Sequence, residues 1–321
     1  RRSSDLYRLW EQSCHVQPAC EMQLPMGKTY AEWFRGGGSN QKYWPVHKLR
    51  EWLLTYGKAY FLHALLHGSV GTLDDRDGFS DLDLAFIIKK DVLLDKNALV
   101  ELRRKARQLL IYTYAFDPLM HHGPYYLTEL DLNVYPQGLL PLVVYEHGVS
   151  LHVEDASIHV RPYDSDYFTD TLLSGFAECY QRWTNVDQCF KDPWDVELIL
   201  GITMILPALY SQRIHHIFQY KRDTFDMVKG DFNEEQWRPI ETATKLRSEL
   251  PQRYRPSPLF VSVADFCHKP GLLLQRALHH RTSKQALELT KRLAGKDFAA
   301  QTSRLLQSMQ EKIANADILD G

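Results

Sequence analysis

The stretch Leu65-Leu66-His67-Gly68-Ser69-Val70-Gly71-Thr72-Leu73-Asp74-Asp75-Arg76-Asp77-Gly78-Phe79-Ser80-Asp81-Leu82-Asp83-Leu84-Ala85-Phe86-Ile87-Ile88 decides how this chain folds. An apolar run from Tyr60 to Leu66 stops at Gly68-Ser69, and a loop rich in Gly and Asp follows. Ser80 to Ile88 then has the composition of a second strand. Residues two apart in a strand share a face, so Asp81 and Asp83 stand side by side while Leu82 and Leu84 face the core. Two neighbouring carboxylates repel unless positive charge lies between them. A hard divalent cation such as Mg²⁺ is the usual supplier.

Beside that pair, Gly68 lets backbone approach a phosphate closely, and Ser69 offers a hydroxyl to phosphate oxygens. Together these residues describe a site for a metal-bound polyphosphate. The plainer alternative is an acidic loop in which Asp74, Asp75, Asp77 and Asp81 are merely solvated. A lone Asp-Leu-Asp would deserve that reading; its conjunction with Gly-Ser between two apolar runs does not.

Gly68-Ser69, eleven residues, and then Asp81-Leu82-Asp83-Leu84 resemble the signature of the DNA polymerase beta-like nucleotidyltransferase superfamily. His67 departs from it, standing where that family usually has an apolar residue. The resemblance covers the catalytic core alone. It implies transfer of a nucleotidyl group from an NTP, with ATP the expected donor, to an acceptor hydroxyl, with pyrophosphate leaving. It also implies two Mg²⁺ ions, with Mn²⁺ as a substitute, and a third carboxylate on a later strand. On this basis Asp81 and Asp83 hold metal, and Gly68, Ser69 and Ser80 bind the nucleotide.

The third carboxylate can be sought in Leu127-Thr128-Glu129-Leu130-Asp131-Leu132-Asn133-Val134-Tyr135, which alternates strictly as a half-buried strand does. An exposed edge strand would show the same pattern. Leu130, Leu132 and Val134 form its apolar face, and Glu129, Asp131 and Asn133 its polar one. Asp131, flanked by apolar residues, is the expected third metal ligand and general base, with Glu129 the runner-up.

The chain has 321 residues, 44% hydrophobic and 12% aromatic, which suits a folded protein of two domains. Lys plus Arg at 38 nearly balances Asp plus Glu at 40, so net charge does not indicate nucleic acid as a partner. Arg103, Arg104, Lys105 and Arg107 read as a solvated helix face. Five scattered cysteines (Cys14, Cys20, Cys179, Cys189, Cys267) without zinc spacing read as reduced thiols of a cytoplasmic protein. No apolar run is long enough to span a bilayer, so no membrane partner is expected. The chain does not begin with Met, which leaves room for a trimmed targeting segment.

The expected organisation is α+β: an N-terminal extension (1–40), a nucleotidyltransferase core with a mixed sheet and flanking helices (41–155), and an all-α bundle (156–321). Gly36-Gly37-Gly38-Ser39 lacks the Lys-Ser/Thr of a phosphate loop and reads as a flexible connector. Helices are expected over 44–54, about 96–114 and from about 165, with one ending at Pro207. Others follow over about 215–229, 234–250 and 283–314. His121-His122, His215-His216 and His279-His280 receive no metal role. Lys221 resembles the helical lysine that reaches NTP phosphates in small nucleotidyltransferases, although an ordinary surface lysine fits as well.

The expected acceptor is a small molecule, given the modest chain and near-neutral charge. Alternatives are a protein or tRNA acceptor, as in toxin-type members, a second-messenger synthase, or a catalytically inactive nucleotide-binding scaffold. The helical domain is also a candidate surface for a homodimer.

Overall fold

The structure is a computed structural model that describes residues 22–25, 27–76, 80–117, 123–137, 140–152, 157–163, 166–186, 190, 193–216, 218–249, 287–292, 294 and 297–320. The expectations for Cys14, Cys20, Asp77, His121-His122, Cys189, Cys267 and His279-His280 lie outside the described residues.

The first elements are β1 (Met22–Pro25), β2 (Lys28–Thr29) and α1 (Tyr30–Trp33), followed by a π-turn over Phe34–Gly38 and α2 (Trp44–Thr55). Then come β3 (Phe61–Leu66), α3 (Gly68–Thr72), β4 (Leu84–Ile88), α4 (Lys90–Leu94), α5 (Lys96–Phe116) and β5 (Tyr125–Thr128). A 3-10 turn (Asp131–Val134), β6 (Tyr135–Pro136), α6 (Val143–His147), β7 (Val149–Ser150), β8 (Ser157–Val160) and β9 (Pro162–Tyr163) complete this half. The rest is helical: α7 (Asp166–Val186), α8 (Pro193–His215), a 3-10 turn (Lys221–Asp223), α9 (Thr224–Lys229), α10 (Glu234–Glu249) and α11 (Phe298–Asp320). The fold is therefore α+β, with a helical C-terminal region.

The central sheet is mixed, in the order β2-β7-β3-β4-β5. β3 and β4 are antiparallel, whereas β4 and β5 are parallel. It is buried on both faces because its strands are apolar at successive positions. Ala64, Leu66, Leu84 and Phe86 pack with Leu49, Leu53 and Leu109 on one face. Leu65, Ala85, Ile87 and Leu127 pack with Tyr135, Tyr145 and Ile158 on the other. Among the described residues no helix is long and apolar enough to cross a membrane.

Several local expectations need correction. Residues 22–25 and 27–40 are not a bare extension: β1 pairs with β8 and β2 with β7. The glycine run is not a loose connector. A Cβ on Gly38 would come within 2.4 Å of the Trp33 ring, and Trp33 Nε1 donates to the Val70 carbonyl at 2.9 Å. This segment thus braces α3. Helix α8 continues through Pro207, because its flanks (Met204, Leu206, Leu209 and Tyr210) are buried and packing offsets the lost hydrogen bond, a cost of about 3 kcal/mol. The helix expected from 215 begins only at Thr224. Arg213 pins three helices through Asp170 (3.0 Å), Asp166 (3.4 Å) and Asp317 (2.6 Å).

A buried histidine pair gives the fold an acid sensitivity. His63 on β3 and His152 after β7 are 6% and 8% exposed, and each Nδ1 lacks a hydrogen-bond partner among the described residues. Burial, reinforced by His152, pushes the His63 pKa down to about 4. Both states are neutral above the unfolded value near 6.5, so nothing is lost there. Below it the unfolded chain binds the proton first, and stability falls until about pH 4, by about 3 kcal/mol in all. Urea unfolding at pH 7 and pH 5 should show a smaller pH-dependent loss in His63→Leu than in wild type. Equal losses would mean that His63 is not the group responsible.

Candidate active site

Strand β3 delivers the chain to Gly68, whose backbone has φ +65, a conformation L side chains rarely adopt. A Cβ there would lie 1.9 Å from Asp83 Oδ2, so the glycine is set directly against that carboxylate. The His67 N–H donates to the Asp83 carbonyl at 3.0 Å, which ties the two segments together just beyond the ladder. Strand β4 starts at Leu84, later than the expected Ser80, yet the alternation survives in the lead-in. Leu82 and Leu84 are fully buried, while Asp81 and Asp83 are half-buried on the side away from them.

After α3, Leu73 takes a left-handed conformation (φ 62), which turns the chain so that Asp74 N donates to the Ser69 carbonyl at 3.0 Å. For a leucine this conformation costs about 1–2 kcal/mol, strain of the kind found beside functional sites. The Thr72 hydroxyl donates to Asp74, and Asp75 is buried by Lys42 (2.9 Å) and the Tyr43 hydroxyl. Asp75 is thus a structural anchor rather than a solvated acid. Ser80, expected to touch nucleotide, is 6% exposed, and its hydroxyl accepts from Arg76 N at 2.8 Å while Ser80 N donates to the Arg76 carbonyl at 3.0 Å. The structure uses Ser80 to close the loop.

The helical region supplies the other wall. Lys221, expected on a helix, opens the 3-10 turn, and it lies in the field of Asp83 and Asp81. Burial and the neighbouring Arg247 push its pKa down to about 8, against the two carboxylates that raise it. Arg247, from α10, is held below its usual value by burial and by Arg76, and Asp81 and Asp74 oppose that shift. Burial raises the Tyr220 pKa, Thr72 opposes that shift, and the charges of Asp74 and Asp83 add to it. The Tyr220 ring stands 4.8 Å from that of His147, and Arg222 Nη1 is 3.2 Å from Asp74 Oδ2. Arg247, Tyr220 and Arg222 were not singled out in the sequence. Arg247 sits in an ordinary amphipathic helix with no local motif to mark it.

Asp131 is placed elsewhere. The strand expected over 127–135 ends at Thr128, and Asp131 opens a 3-10 turn (Asp131–Val134) that buries Leu132, with Tyr135, three residues further, buried at the start of β6. Its Oδ2 accepts from Thr128 N and Thr128 Oγ1, each at 2.7 Å. Thr128 is in parallel register with Ile88, five residues beyond Asp83. At about 3.3 Å per residue that is about 16 Å along the sheet. Glu129 is at the same far end, where its Oε2 accepts from Lys90 N at 2.8 Å. The near end of β5 is Tyr125, whose ring lies 5.9 Å from that of His67. Gly68 lies against Asp83 and Lys221 is in the field of Asp83 and Asp81, whereas Asp131 and Glu129 lie at the other end of the sheet.

Asp131→Asn should therefore lower stability by about 1 kcal/mol through the weakened Thr128 contacts and leave any Mg²⁺-nucleotide affinity unchanged by calorimetry. Any pyrophosphate release should survive as well. Loss of release in a folded Asp131→Asn protein would put this carboxylate back beside Asp81.

Among the described residues no three His, Cys, Asp or Glu side chains gather as a metal-binding group. Asp81 and Asp83 are a pair, a donor set that suits Mg²⁺ carried in on phosphate oxygens better than a metal held by protein alone. Models of known protein families give no match to the chain, and no curated protein matches it.

Proposed function

We propose that this chain is a nucleotidyltransferase of the DNA polymerase beta-like type, moving an NMP group from an NTP, ATP first among them, to an acceptor hydroxyl. One arrangement carries the reading: Gly68 lies against Asp83, and of the cations of the helical region Lys221 stands in the field of Asp83 and Asp81 and Arg247 in that of Asp81. Asp81 and Asp83 would hold a Mg²⁺ that reaches them with the triphosphate, and Lys221 and Arg247 would take the phosphate charge the metal leaves uncovered. When bound, the ion would supply Lewis-acid polarisation of a phosphate oxygen and charge neutralisation. The residues themselves position the triphosphate: Gly68 keeps the turn flush with Asp83, and Ser69 offers its hydroxyl to the phosphates. With Asp131 at the other end of the sheet, the proposal includes one metal ion and not the second. The near-neutral chain favours a small-molecule acceptor.

A second reading, a nucleotide-binding scaffold without transfer, is favoured by one observation, the remote placement of Asp131. The purified chain, labelled NTPs, Mg²⁺ and a panel of hydroxyl acceptors separate the two. Acceptor-dependent pyrophosphate release is the expected result. Saturable Mg²⁺-nucleotide binding with no release across the panel would select the scaffold, and no binding would discard both.

A further inference from the structure

The backbone ladder between β3 and β7 sets two buried histidines opposite each other. Leu65 is opposite Ser150 and Leu66 opposite Val149, and Leu151 N donates to the Ala64 carbonyl at 2.9 Å. The next step of this antiparallel ladder faces His63 with His152. Ala64 and Leu151 are a hydrogen-bonded pair, so His63 and His152 are the non-hydrogen-bonded kind, in which facing side chains come closest. Alternation puts both imidazoles on the face of Leu65, away from Ala64 and Leu151. Against β4, Phe61 is opposite Ile88 and His63 opposite Ile87, so β3 carries an extra residue just before His63. Such a bulge re-aims the side chains beside it. His63 is 6% exposed and His152 8%, and neither Nδ1 has a hydrogen-bond partner among the described residues. The two rings therefore do not bond to each other through these atoms. Orphaned ring nitrogens side by side in a core are costly unless a ligand joins them.

We propose that His63 and His152 form a two-nitrogen site for a soft monovalent metal ion, Cu⁺ by its chemistry, held in line between the two Nδ1 atoms. Metal–imidazole bonds of about 2.0 Å put two nitrogens in line about 4 Å apart. Facing Cβ atoms about 4.5–5.5 Å apart suit that span, which is too long for a direct hydrogen bond. Zn²⁺ asks for four donors, and among the described residues no third His, Cys, Asp or Glu gathers with these two. Charge decides the same way. Both ligands are neutral, and the cost of burying an ion rises steeply with its charge. Lys58 and Lys89 add positive charge in the field of His152, which penalises a divalent ion further. A monovalent ion satisfied by two ligands meets each of these conditions. His63 is near the first residue of β3, whereas Gly68 follows the last, so this site is separate from the nucleotide site and does not rest on it.

The test uses the full chain with Ag⁺, which shares the charge and linear preference of Cu⁺ and needs no reducing agent. Cysteine thiols also take soft ions, so the readout must resolve individual side chains. In nuclear magnetic resonance of isotope-labelled protein, Ag⁺ should shift two imidazole Nδ1 signals and split both by coupling to silver. His63→Leu and His152→Leu assign those signals by their loss, and each should remove about one equivalent of Ag⁺ from the calorimetric stoichiometry. Cu⁺, offered anaerobically against a chromophoric chelator, should show the same loss. Silver coupling confined to cysteines, or absent from every imidazole of the wild-type chain, overturns the proposal, and that spectrum decides even where a variant fails to fold. Undiminished coupling at His152 in a folded His63→Leu protein overturns the shared site as well.

Discussion

On the nucleotidyltransferase reading proposed above, Asp83→Asn is expected to end pyrophosphate release, with a loss of at least about a thousandfold under saturating Mg²⁺ and NTP. Asp83 is the better of the two carboxylates for this test, because Gly68 lies against its Oδ2 and its backbone carbonyl is bonded to His67. Asn preserves the shape of that contact and removes only the charge that would meet the metal. Thermal stability carries a second signal. Were the Asp81–Asp83 pair a naked repulsion, Asn would relieve it and stabilise the fold. Lys221 and Arg247 instead lie in the field of this pair, so Asn leaves a half-buried cation less compensated. The melting temperature in metal-free buffer should therefore fall. Undiminished pyrophosphate release in the purified variant would remove Asp83 from the mechanism, and a rise in melting temperature would show that the cations do not face it.

Gly68→Ala should be the most damaging single methyl in the core half. The left-handed backbone costs about 1–2 kcal/mol for any L side chain. The new Cβ would also sit 1.9 Å from Asp83 Oδ2, so the carboxylate must swing away. The yielding atom is the end of a side chain, so the protein is expected to fold, less stably, with Mg²⁺-nucleotide affinity reduced more than about tenfold by the displaced ligand. The two costs separate in a double-mutant cycle. In an Asp83→Ala background the Oδ2 and Cγ clashes are gone and the contact with Asp83 Cβ, 3.0 Å away, remains, so the effect on stability should shrink toward the backbone share. Equal costs in both backgrounds would place the damage in the backbone alone. Because the clash is with Asp83, a Gly68 variant reports on the carboxylate and does not by itself reveal whether phosphates approach this turn.

Close spacing along the chain made much of the site legible. Gly68 and Asp83 are 15 positions apart, and two apolar strands joined by a polar loop can hardly avoid pairing. Alternation then put Leu82 and Leu84 inside and left Asp81 and Asp83 on the other side. Where alternation misled, a second period imitated it. From Leu130 to Val134 the apolar residues sit at every other position, yet the burial of Leu132 and Tyr135 follows a three-residue spacing in a segment that Asp131 stabilises through Thr128. The glycine run misled for a different reason. Glycine marks loops by its freedom, but it also marks places where another ring must come close, as Trp33 does on Gly38.

The sequence alone determined the paired carboxylates, the glycine before them and the change from strand-forming to helical composition, because each depends on residues near one another in the chain. Only the tertiary structure decided which charges meet. Two carboxylates side by side gave no sign of which protein charges stand near them, and Lys221 and Arg247, more than a hundred positions downstream, lie in their field. The register of β5 against β4 put Asp131 at the wrong end of the sheet for a shared metal site. Register and domain docking depend on the sum of many long-range contacts, none of which leaves a local signature, so charge pairing across this site is a property of the folded chain.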